Sequence, residues 1–96
     1  MFVLITYDVN TETSSGKKRL RKIAKMCVNH GQRVQNSVFE CSLSPSDFKI
    51  LESSLLEVMD KEKDSLRIYF LGDEKKVKIA HYGIKEGYKP EGILII

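Results

Sequence analysis

The amino-acid sequence predicts one α+β domain, in which an antiparallel β-sheet carries two helices on one face. Segments with strand-like and helix-like patterns follow one another in the order strand, helix, strand, strand, helix, strand. Each helix-like segment has apolar residues along one stripe only, as a helix lying on a sheet requires. A chain of 96 residues is one small domain. This order is the βαββαβ arrangement of the ferredoxin-like fold, with additional strand material at the end.

The composition is that of an ordinary globular protein, with 30% charged and 42% hydrophobic residues. A net charge of +3 predicts no particular partner by itself. Cys27 and Cys41 stand in apolar stretches without metal-like spacing, which favours buried free thiols in a reducing compartment. The first predicted strand starts at Met1 and leaves no room for a signal peptide, and no apolar run has the length of a membrane span. We therefore expect a cytoplasmic protein without membrane contact.

The first eight residues, Met1 to Asp8, predict a buried strand, because the run is rich in β-branched and aromatic residues and too short for a helix. The strand period of two places Val3, Ile5, Tyr7 and Val9 on one face and Leu4, Thr6 and Asp8 on the other. Asp8 therefore stands where the strand gives way to a loop, the edge at which helix-covered sheets bind ligands. The alternative is that Asp8 only begins a turn with Asn10.

The first predicted helix follows a polar loop from Asn10 to Gly16, with Ser14 or Ser15 as its N-cap. Its apolar stripe consists of Leu20, Ile23, Ala24, Cys27 and Val28. Gly31 is expected to end the helix in a left-handed conformation.

The rest of this helix is unusually basic, because Lys17, Lys18, Arg19, Arg21, Lys22 and Lys25 occur with no acidic residue among them. A run of charges is most often only a solvated face of a helix. Here no carboxylate interleaves to relieve the repulsion between basic residues one turn apart. This pattern favours a phosphate-binding surface, with the solvated face as the alternative.

Strands are also predicted before and after the second helix. Gln32 to Gln35 and Ser37 to Leu43 form a pair that is interrupted near Asn36, a residue that tolerates turns and bulges. Leu66 to Leu71 alternates as a further strand, and the stretch from Val77 to Ile84 is a weaker one.

The second helix has a clear start signal, with Ser44 as its cap, Pro45 at its first position and Asp47 at the capping-box site. Its apolar face consists of Phe48, Leu51, Leu55, Val58 and Met59. We expect it to end around Lys61, with Asp60 to Asp64 as a charged turn.

The chain ends on an apolar tail, Ile93-Leu94-Ile95-Ile96, reached through a linker of residues 85–92 that contains two glycines and a proline. Such a tail would make an aggregation-prone edge if water surrounded it. We expect Ile93, Leu94, Ile95 and Ile96 to add a strand to the sheet of a second subunit. The alternative is that they fold back on their own sheet.

Three stretches of this sequence resemble a known protein family. Tyr7-Asp8-Val9 ends the first strand, Arg19-x-Arg21 lies in the first helix, and the string Gly31-Gln32-Arg33-Val34-Gln35-Asn36-Ser37-Val38-Phe39-Glu40 follows it. Together they closely resemble the second core protein of CRISPR adaptation, the Cas-two family, over nearly the whole chain. The run from Tyr7 to Thr11 and the run from Asn36 to Cys41 look like its subtype I-C branch.

The resemblance implies a ferredoxin-like homodimer that works with the CRISPR integrase, the Cas-one protein, in capturing new spacers. It also implies a metal-dependent nuclease that acts on double-stranded DNA, RNA or both. The functional positions of the family fall on Asp8, Tyr7, Arg19, Arg21, Arg33 and Phe39 of this sequence. Asp8, Tyr7, Arg19, Arg33 and Phe39 are therefore the candidate catalytic residues, and Asp8 is the candidate metal ligand.

Coordination chemistry sets a condition on this metal site. Mg²⁺ prefers oxygen ligands and keeps several waters, so one carboxylate makes a weak site and two make a credible one; Mn²⁺ is the alternative ion. No second acid has motif-like spacing to Asp8, but the two-fold axis of a dimer would supply Asp8 of a second subunit. His30 and His81 are interpreted as structural. Arg33 is equally able to brace an acid, and Phe39 to be a core residue.

Three functions from different classes remain. The first is an Mg²⁺-dependent endonuclease with paired Asp8 residues, and the second is a non-catalytic dimeric scaffold that spans duplex DNA and positions integrase subunits. The third is a ferredoxin-like regulatory or RNA-binding module. The segment from Arg33 to Leu43 lacks the interleaved aromatic residues of an RNA-recognition strand, which argues against the third.

Overall fold

The computed structural model describes residues 1–72 and 77–84, and it confirms the predicted fold class. The described residues form two helices and five strands, which are β1 (Phe2–Asp8), α1 (Ser14–His30), β2 (Gln32–Gln35), β3 (Val38–Ser42), α2 (Pro45–Val58), β4 (Ser65–Phe70) and β5 (Lys78–Gly83). The strands lie in one sheet in the order β2-β3-β1-β4-β5, and each neighbouring pair is antiparallel. The first four strands have the ferredoxin-like order, which β5 extends beside β4.

The C-terminal prediction concerns residues that this description does not reach. The linker of residues 85–92 and the tail from Ile93 to Ile96 lie outside the described residues. The exchange of the tail between subunits therefore stays a prediction.

Both helices cover the same face of the sheet. The residues of β1 that point toward the helices are Val3, Ile5 and Tyr7. They belong to one of the two strand faces that the sequence alternation predicted. They share one core with Ile23 and Cys27 of α1, Phe39 and Cys41 of β3, and Phe48, Leu51 and Leu55 of α2. Cys27 and Cys41 are buried free thiols, as predicted. Burial raises the pKa of the Cys27 thiol to about 12, so it stays protonated at neutral pH.

The opposite surface of the sheet, which we call the open face, carries three rows of side chains across β1, β4 and β5. The first row is Leu4, Tyr69 and Ile79; the second is Thr6, Arg67 and His81; the third is Asp8, Ser65 and Gly83. Tyr69 is buried although it points away from the helices. The open face is therefore apolar at one end and polar at the end where β1 finishes.

α1 differs from the prediction at its N-terminus and along its stripe. The N-cap is Thr13 rather than Ser14 or Ser15, and its hydroxyl accepts a hydrogen bond from the Gly16 amide at 3.1 Å. Val28 was expected on the apolar stripe but is 53% exposed. It lies about 100° around the helix from the buried Cys27, which carries it past the edge of the core.

Gly31 ends α1 without the expected left-handed conformation. Its φ of −160° and ψ of −165° are extended, because β2 begins at the next residue. The requirement for glycine is a close approach of two chains: a Cβ at this position would lie 2.3 Å from the carbonyl oxygen of Glu40. Gly31 is therefore required for close packing against β3 and not for the left-handed conformation of a helix cap.

α2 begins as predicted, with the Ser44 hydroxyl accepting a hydrogen bond from the Asp47 amide at 3.1 Å. It ends at Val58 rather than around Lys61, because Met59 turns into an extended conformation and buries its side chain in the core. The interruption near Asn36 is confirmed, because Asn36 and Ser37 form the turn between β2 and β3. The register of the two strands also shifts between Arg33 and Gln35. No helix in the described residues is long and apolar enough to cross a membrane.

Gly83, the last residue of β5, lies close to the backbone of the loop before β4, and a substitution at this position tests that contact. Its φ is +92°, and an added Cβ would lie 2.0 Å from the carbonyl oxygen of Asp64. Gly83→Ala should therefore destabilise the protein by about 1–3 kcal/mol, measured by urea unfolding. The control is Gly72→Ala, since nothing lies within 4 Å of its added Cβ; we expect a change within about 0.5 kcal/mol. Equal effects of the two substitutions would contradict this role of Gly83.

Candidate active site at the end of the first strand

Asp8 is the last residue of β1 and pairs with Ser65 of β4. Its side chain is exposed on the open face, and no hydrogen bond or ion pair with another described residue engages its carboxylate. The turn that follows is built by Asn10, whose Oδ1 accepts a hydrogen bond from the Glu12 amide at 3.0 Å. The alternative prediction, a turn begun by Asp8, is therefore not what orders this loop. An unpaired carboxylate facing solvent is suited to binding a cation.

A second carboxylate, Asp64, lies beneath this segment and is completely buried. Its Oδ1 accepts hydrogen bonds from the Asn10 amide at 3.0 Å and from Arg19 Nη2 at 3.2 Å. Its Oδ2 accepts from Arg19 Nε at 2.8 Å and from the Asp60 amide at 2.9 Å. The four donors satisfy both oxygens, so Asp64 is a structural anion with no room for a metal ion.

Sequence reasoning treated Asp64 as part of a charged turn and missed this role. Its principal partner, Arg19, is 45 residues away along the chain. The one local signal was a carboxylate placed directly before a strand in which the apolar residues Leu66, Ile68 and Phe70 alternate with others. Such a signal does not distinguish a buried acid from a solvated one.

The pKa of the Asp64 carboxyl depends on its burial and on the donors that surround it. Burial alone would raise the pKa of the carboxyl. The hydrogen bond from Arg19, the backbone hydrogen bonds from Asp60 and Asn10 and the positive charge of Arg19 outweigh burial and hold the pKa below its ordinary value. The group is therefore ionised throughout the physiological pH range.

Arg19 differs from the other basic residues of α1, because all three of its guanidinium nitrogens are engaged. Nε and Nη2 bind Asp64, Nη2 also donates to the Asn10 carbonyl at 3.5 Å, and Nη1 donates to the Ser15 hydroxyl at 3.4 Å. The side chain is 14% exposed. The predicted contact of Arg19 with a phosphate would compete with these bonds.

Tyr7 and Phe39 lie on the opposite side of the sheet from Asp8. Both are buried under the helices, and their rings stack with centroids 6.0 Å apart and an interplanar angle of 18°. The Arg33 guanidinium lies 5.1 Å from the centroid of the Phe39 ring, a cation–π distance. The structure thus brings Tyr7, Phe39 and Arg33 together but separates them from Asp8.

The Tyr7 hydroxyl is buried without a hydrogen-bond partner among the described residues. Burial and the neighbouring Cys27 raise the pKa of this phenol, while the nearby Arg33 guanidinium works in the opposite direction. Tyr7 is therefore protonated at neutral pH. A group held in this way is poorly placed to exchange protons with a substrate on the open face.

The remaining basic residues of α1 keep the exposure that the sequence predicted. Lys17, Lys18, Arg21, Lys22 and Lys25 are all exposed. Lys18 and Lys22 lie beside a groove of about 520 Å³ between α1 and α2, whose far wall includes Ser54 and Glu57. These five cations form the basic face of α1 and are available to a polyanion.

Both histidine rings are engaged by neighbouring residues. His30 Nδ1 lies 2.9 Å from the Met26 carbonyl, within α1. His81 Nδ1 accepts a hydrogen bond from Arg67 Nε at 3.2 Å, and His81 Nε2 lies 2.7 Å from the Ile84 carbonyl. Both rings thus hold structural contacts.

The described residues supply only part of a ligand set for a metal. The described residues contain no group of three or more histidine, cysteine or acidic side chains that could hold an ion. Asp8 offers one carboxylate, and Asp64 is saturated by its donors. Among the described residues, Asp8 alone offers a free carboxylate at this site, so a divalent cation would need a further oxygen ligand, such as Asp8 of a second copy.

Comparison with known proteins places these features in a family. Residues 1–79 match the family model described as CRISPR associated protein Cas2. The chain is 55% identical over 96 residues to a CRISPR-associated endoribonuclease Cas2 of Chlorobaculum tepidum, covering 100% of both chains. It is 54% identical over 95 residues to a CRISPR-associated endonuclease Cas2 of Halalkalibacterium halodurans, covering 99% of each.

A solved structure agrees with these sequence relationships. The crystal structure of Streptococcus pyogenes Cas2 at pH 6.5 has a TM-score of 0.70 and 57% sequence identity to this chain, covering 77% of this chain and 89% of that one. The likeness therefore extends over most of the described fold as well as the sequence.

The depressed pKa of Asp64 predicts how stability depends on pH. A carboxyl whose folded-state pKa lies below its ordinary value of about 3.9 adds stability that is complete above that pH and lost as the pH falls through the folded-state pKa. Asp64→Asn should remove this acid-side loss. At pH 7 it should also cost about 1–3 kcal/mol, because the new amide N–H groups face buried donors.

Urea unfolding between pH 2 and pH 7 measures both effects. Glu62→Gln is the control, since this exposed acid lies in the same turn; its unfolding curve should follow the wild-type pH dependence. An Asp64→Asn protein that keeps the wild-type acid slope would show that other carboxyls cause it.

Proposed function

Because this chain belongs to the CRISPR-associated Cas2 family, we propose that it is a CRISPR adaptation nuclease that hydrolyses phosphodiester bonds with the help of Mg²⁺ at Asp8. Mn²⁺ is the alternative ion, and double-stranded DNA and RNA are both candidate substrates. One observation carries the proposal: Asp8 is exposed and unpaired among the described residues, whereas the acid beside it, Asp64, is neutralised by Arg19. The runs around Tyr7 and Asn36 support placement in the subtype I-C branch.

A second copy of the chain completes the proposed metal site. Leu4 and Ile79, which flank the buried Tyr69, give the open face a partly exposed apolar patch, and Phe2 is 41% exposed near it. If the open faces of two copies pack about a two-fold axis that passes near the ends of their β1 strands, the two Asp8 carboxylates meet at that axis. A divalent cation bound between two carboxylates supplies water activation and charge stabilisation at a phosphodiester.

The basic face of α1 is the proposed contact for the nucleic-acid backbone. It consists of Lys17, Lys18, Arg21, Lys22 and Lys25, which are exposed and have no acid among them in the sequence. Lysine and arginine contacts of this kind bind phosphates without reading bases, so binding is independent of sequence. The CRISPR integrase is the proposed protein partner.

A non-catalytic scaffold is the second candidate function. Among the described residues, it is favoured by the presence of a single available carboxylate at the site and by the engagement of both histidine rings in other contacts. A scaffold requires the basic face and a dimer but no metal. Cleavage by the purified protein, with and without Mg²⁺, separates the two functions.

Asp8→Asn tests the nuclease directly. The substitution keeps the size of the side chain but removes the charge that would hold the ion, so we expect loss of Mg²⁺-dependent cleavage by about 100-fold or more. Folding, dimerisation and duplex binding should persist, because Asp8 pairs with no other described side chain. Cleavage of labelled duplex DNA and RNA is the measurement.

The matched control is Glu62→Gln, which removes one exposed acid that does not belong to β1 and should cut at the wild-type rate. If Asp8→Asn also cuts at the wild-type rate, the active site lies elsewhere or the activity is a contaminant. The scaffold would then be the better description.

The basic face predicts a salt-dependent affinity for duplex DNA. Lys18→Ala combined with Lys22→Ala should weaken binding and reduce the slope of log affinity against log salt by roughly one unit for each phosphate interaction that the substitutions remove. The control is Lys49→Ala combined with Lys61→Ala, which removes the same charge from exposed positions outside α1. Fluorescence anisotropy at several salt concentrations gives the slopes. Identical slopes in the two double variants would make the face ordinary solvated surface.

A further inference from the structure

The segment that carries Asp8 is fixed from two directions. Asp8 itself is held in the sheet by its pairing with Ser65, the residue after Asp64. Two residues further on, the Asn10 amide donates to Asp64 Oδ1 at 3.0 Å. The direction in which the chain leaves β1, and with it the position of the Asp8 carboxylate, therefore depends on Asp64.

Arg19 holds the same segment from the first turns of α1. Its Nε and Nη2 bind both oxygens of Asp64, and Nη2 also donates to the Asn10 carbonyl. The Arg19 guanidinium therefore binds the buried Asp64 carboxylate and the loop after β1 at the same time. Its remaining nitrogen, Nη1, donates to Ser15 of the same helix.

We infer, on the basis of the proposed function, that Arg19 and Asp64 are positioning residues of the Asp8 metal site and that Arg19 does not contact the reacting phosphate. This reassigns a residue that the family resemblance places among the catalytic ones. To reach a phosphate, Arg19 would have to release Asp64 and leave a buried carboxylate with only two backbone donors. Such an exchange is unfavourable, because a buried charge without its partner is poorly solvated.

A positioning role and a purely electrostatic role predict opposite results for one of the two substitutions. Removing the positive charge of Arg19 would strengthen binding of a cation at Asp8 if only charge mattered, and removing the negative charge of Asp64 would weaken it. If the two residues act by holding the loop, both substitutions weaken binding. The two effects would then not add, because either substitution breaks the same ion pair.

The experiment measures Mn²⁺ binding to the full-length protein by electron paramagnetic resonance, without substrate. Arg19→Met and Asp64→Asn should each weaken Mn²⁺ binding by about 10-fold, the usual effect of losing a partner that orients a metal ligand. The double variant should also lose about 10-fold rather than about 100-fold. Arg19→Lys keeps the charge but lacks the bidentate guanidinium donor, so its Mn²⁺ affinity should lie between those of wild type and Arg19→Met.

Cleavage kinetics provide a second readout. Arg19→Met should raise the Mg²⁺ concentration needed for half-maximal rate, while kcat at saturating Mg²⁺ stays within about threefold of wild type. A large loss of kcat in Arg19→Met with unchanged Mn²⁺ binding would overturn the inference and make Arg19 catalytic. Tighter Mn²⁺ binding in the same variant would also overturn it, in favour of charge alone.

Two controls separate this inference from the proposed function. Asp8→Asn tests the metal site itself: if wild type and Asp8→Asn bind Mn²⁺ equally, the proposed site fails and the positioning role fails with it. Wild-type protein that binds Mn²⁺ at Asp8 but does not cut would contradict the nuclease while the binding series still tests the positioning role. Should Asp64→Asn fail to fold, Arg19→Lys carries the test, and unchanged Mn²⁺ binding in that variant would contradict the inference.

Discussion

The ion pair between Arg19 and the buried Asp64 is the interaction on which the rest of this structure depends. It joins the loop after β1, the start of α1 and the turn before β4. The backbone of Asp64 extends the connection, because its carbonyl accepts a hydrogen bond from the Ile84 amide at 3.0 Å, just beyond β5. A carboxylate shielded from water at this junction is tolerable only because four donors surround it. The charge therefore fixes a unique arrangement of loops at the end of the sheet where Asp8 lies.

The alternation of β1 divides the family positions into two groups with different physical situations. Tyr7 faces the helices, stacks on Phe39 and has its hydroxyl enclosed, whereas Asp8 faces solvent on the other surface. Adjacent residues in a strand point in opposite directions, so their neighbourhood in sequence does not make them neighbours in a site. Arg33 belongs with the first group through its contact with Phe39. The geometry accordingly gives the first group a packing role and leaves the Asp8 carboxylate unpaired among the described residues, as the proposed cation site requires.

Local patterns predicted most of the fold but not the ion pair. Period-two and helical spacing identified the strands and helices because burial of one face imposes those periods. The errors lie at element ends: Thr13 caps α1 instead of its serine neighbours, and Met59 ends α2 early. Position 31 requires glycine because the backbone of Glu40 lies too close for a Cβ, and not because of the backbone conformation. These outcomes depend on which chain segment lies nearby in space, as does the pairing of Asp64 with Arg19, and sequence spacing does not encode that proximity.

The placement of charge along α1 relates the two proposed functions to one end of the sheet. α1 follows the end of β1 after a short loop, so Lys17 and Lys18 lie in its first turns, toward the Asp8 end of the sheet. Lys25 lies about 12 Å further along the helix axis, at 1.5 Å per residue. A nucleic-acid backbone tracking these cations would therefore be led toward the end of β1 by charges of one sign. Asp8 lies at that end of the sheet but on the open face, opposite the helices. The proposed hydrolysis therefore requires a substrate that passes around the end of β1, whereas the proposed scaffold requires only the basic face and a dimer.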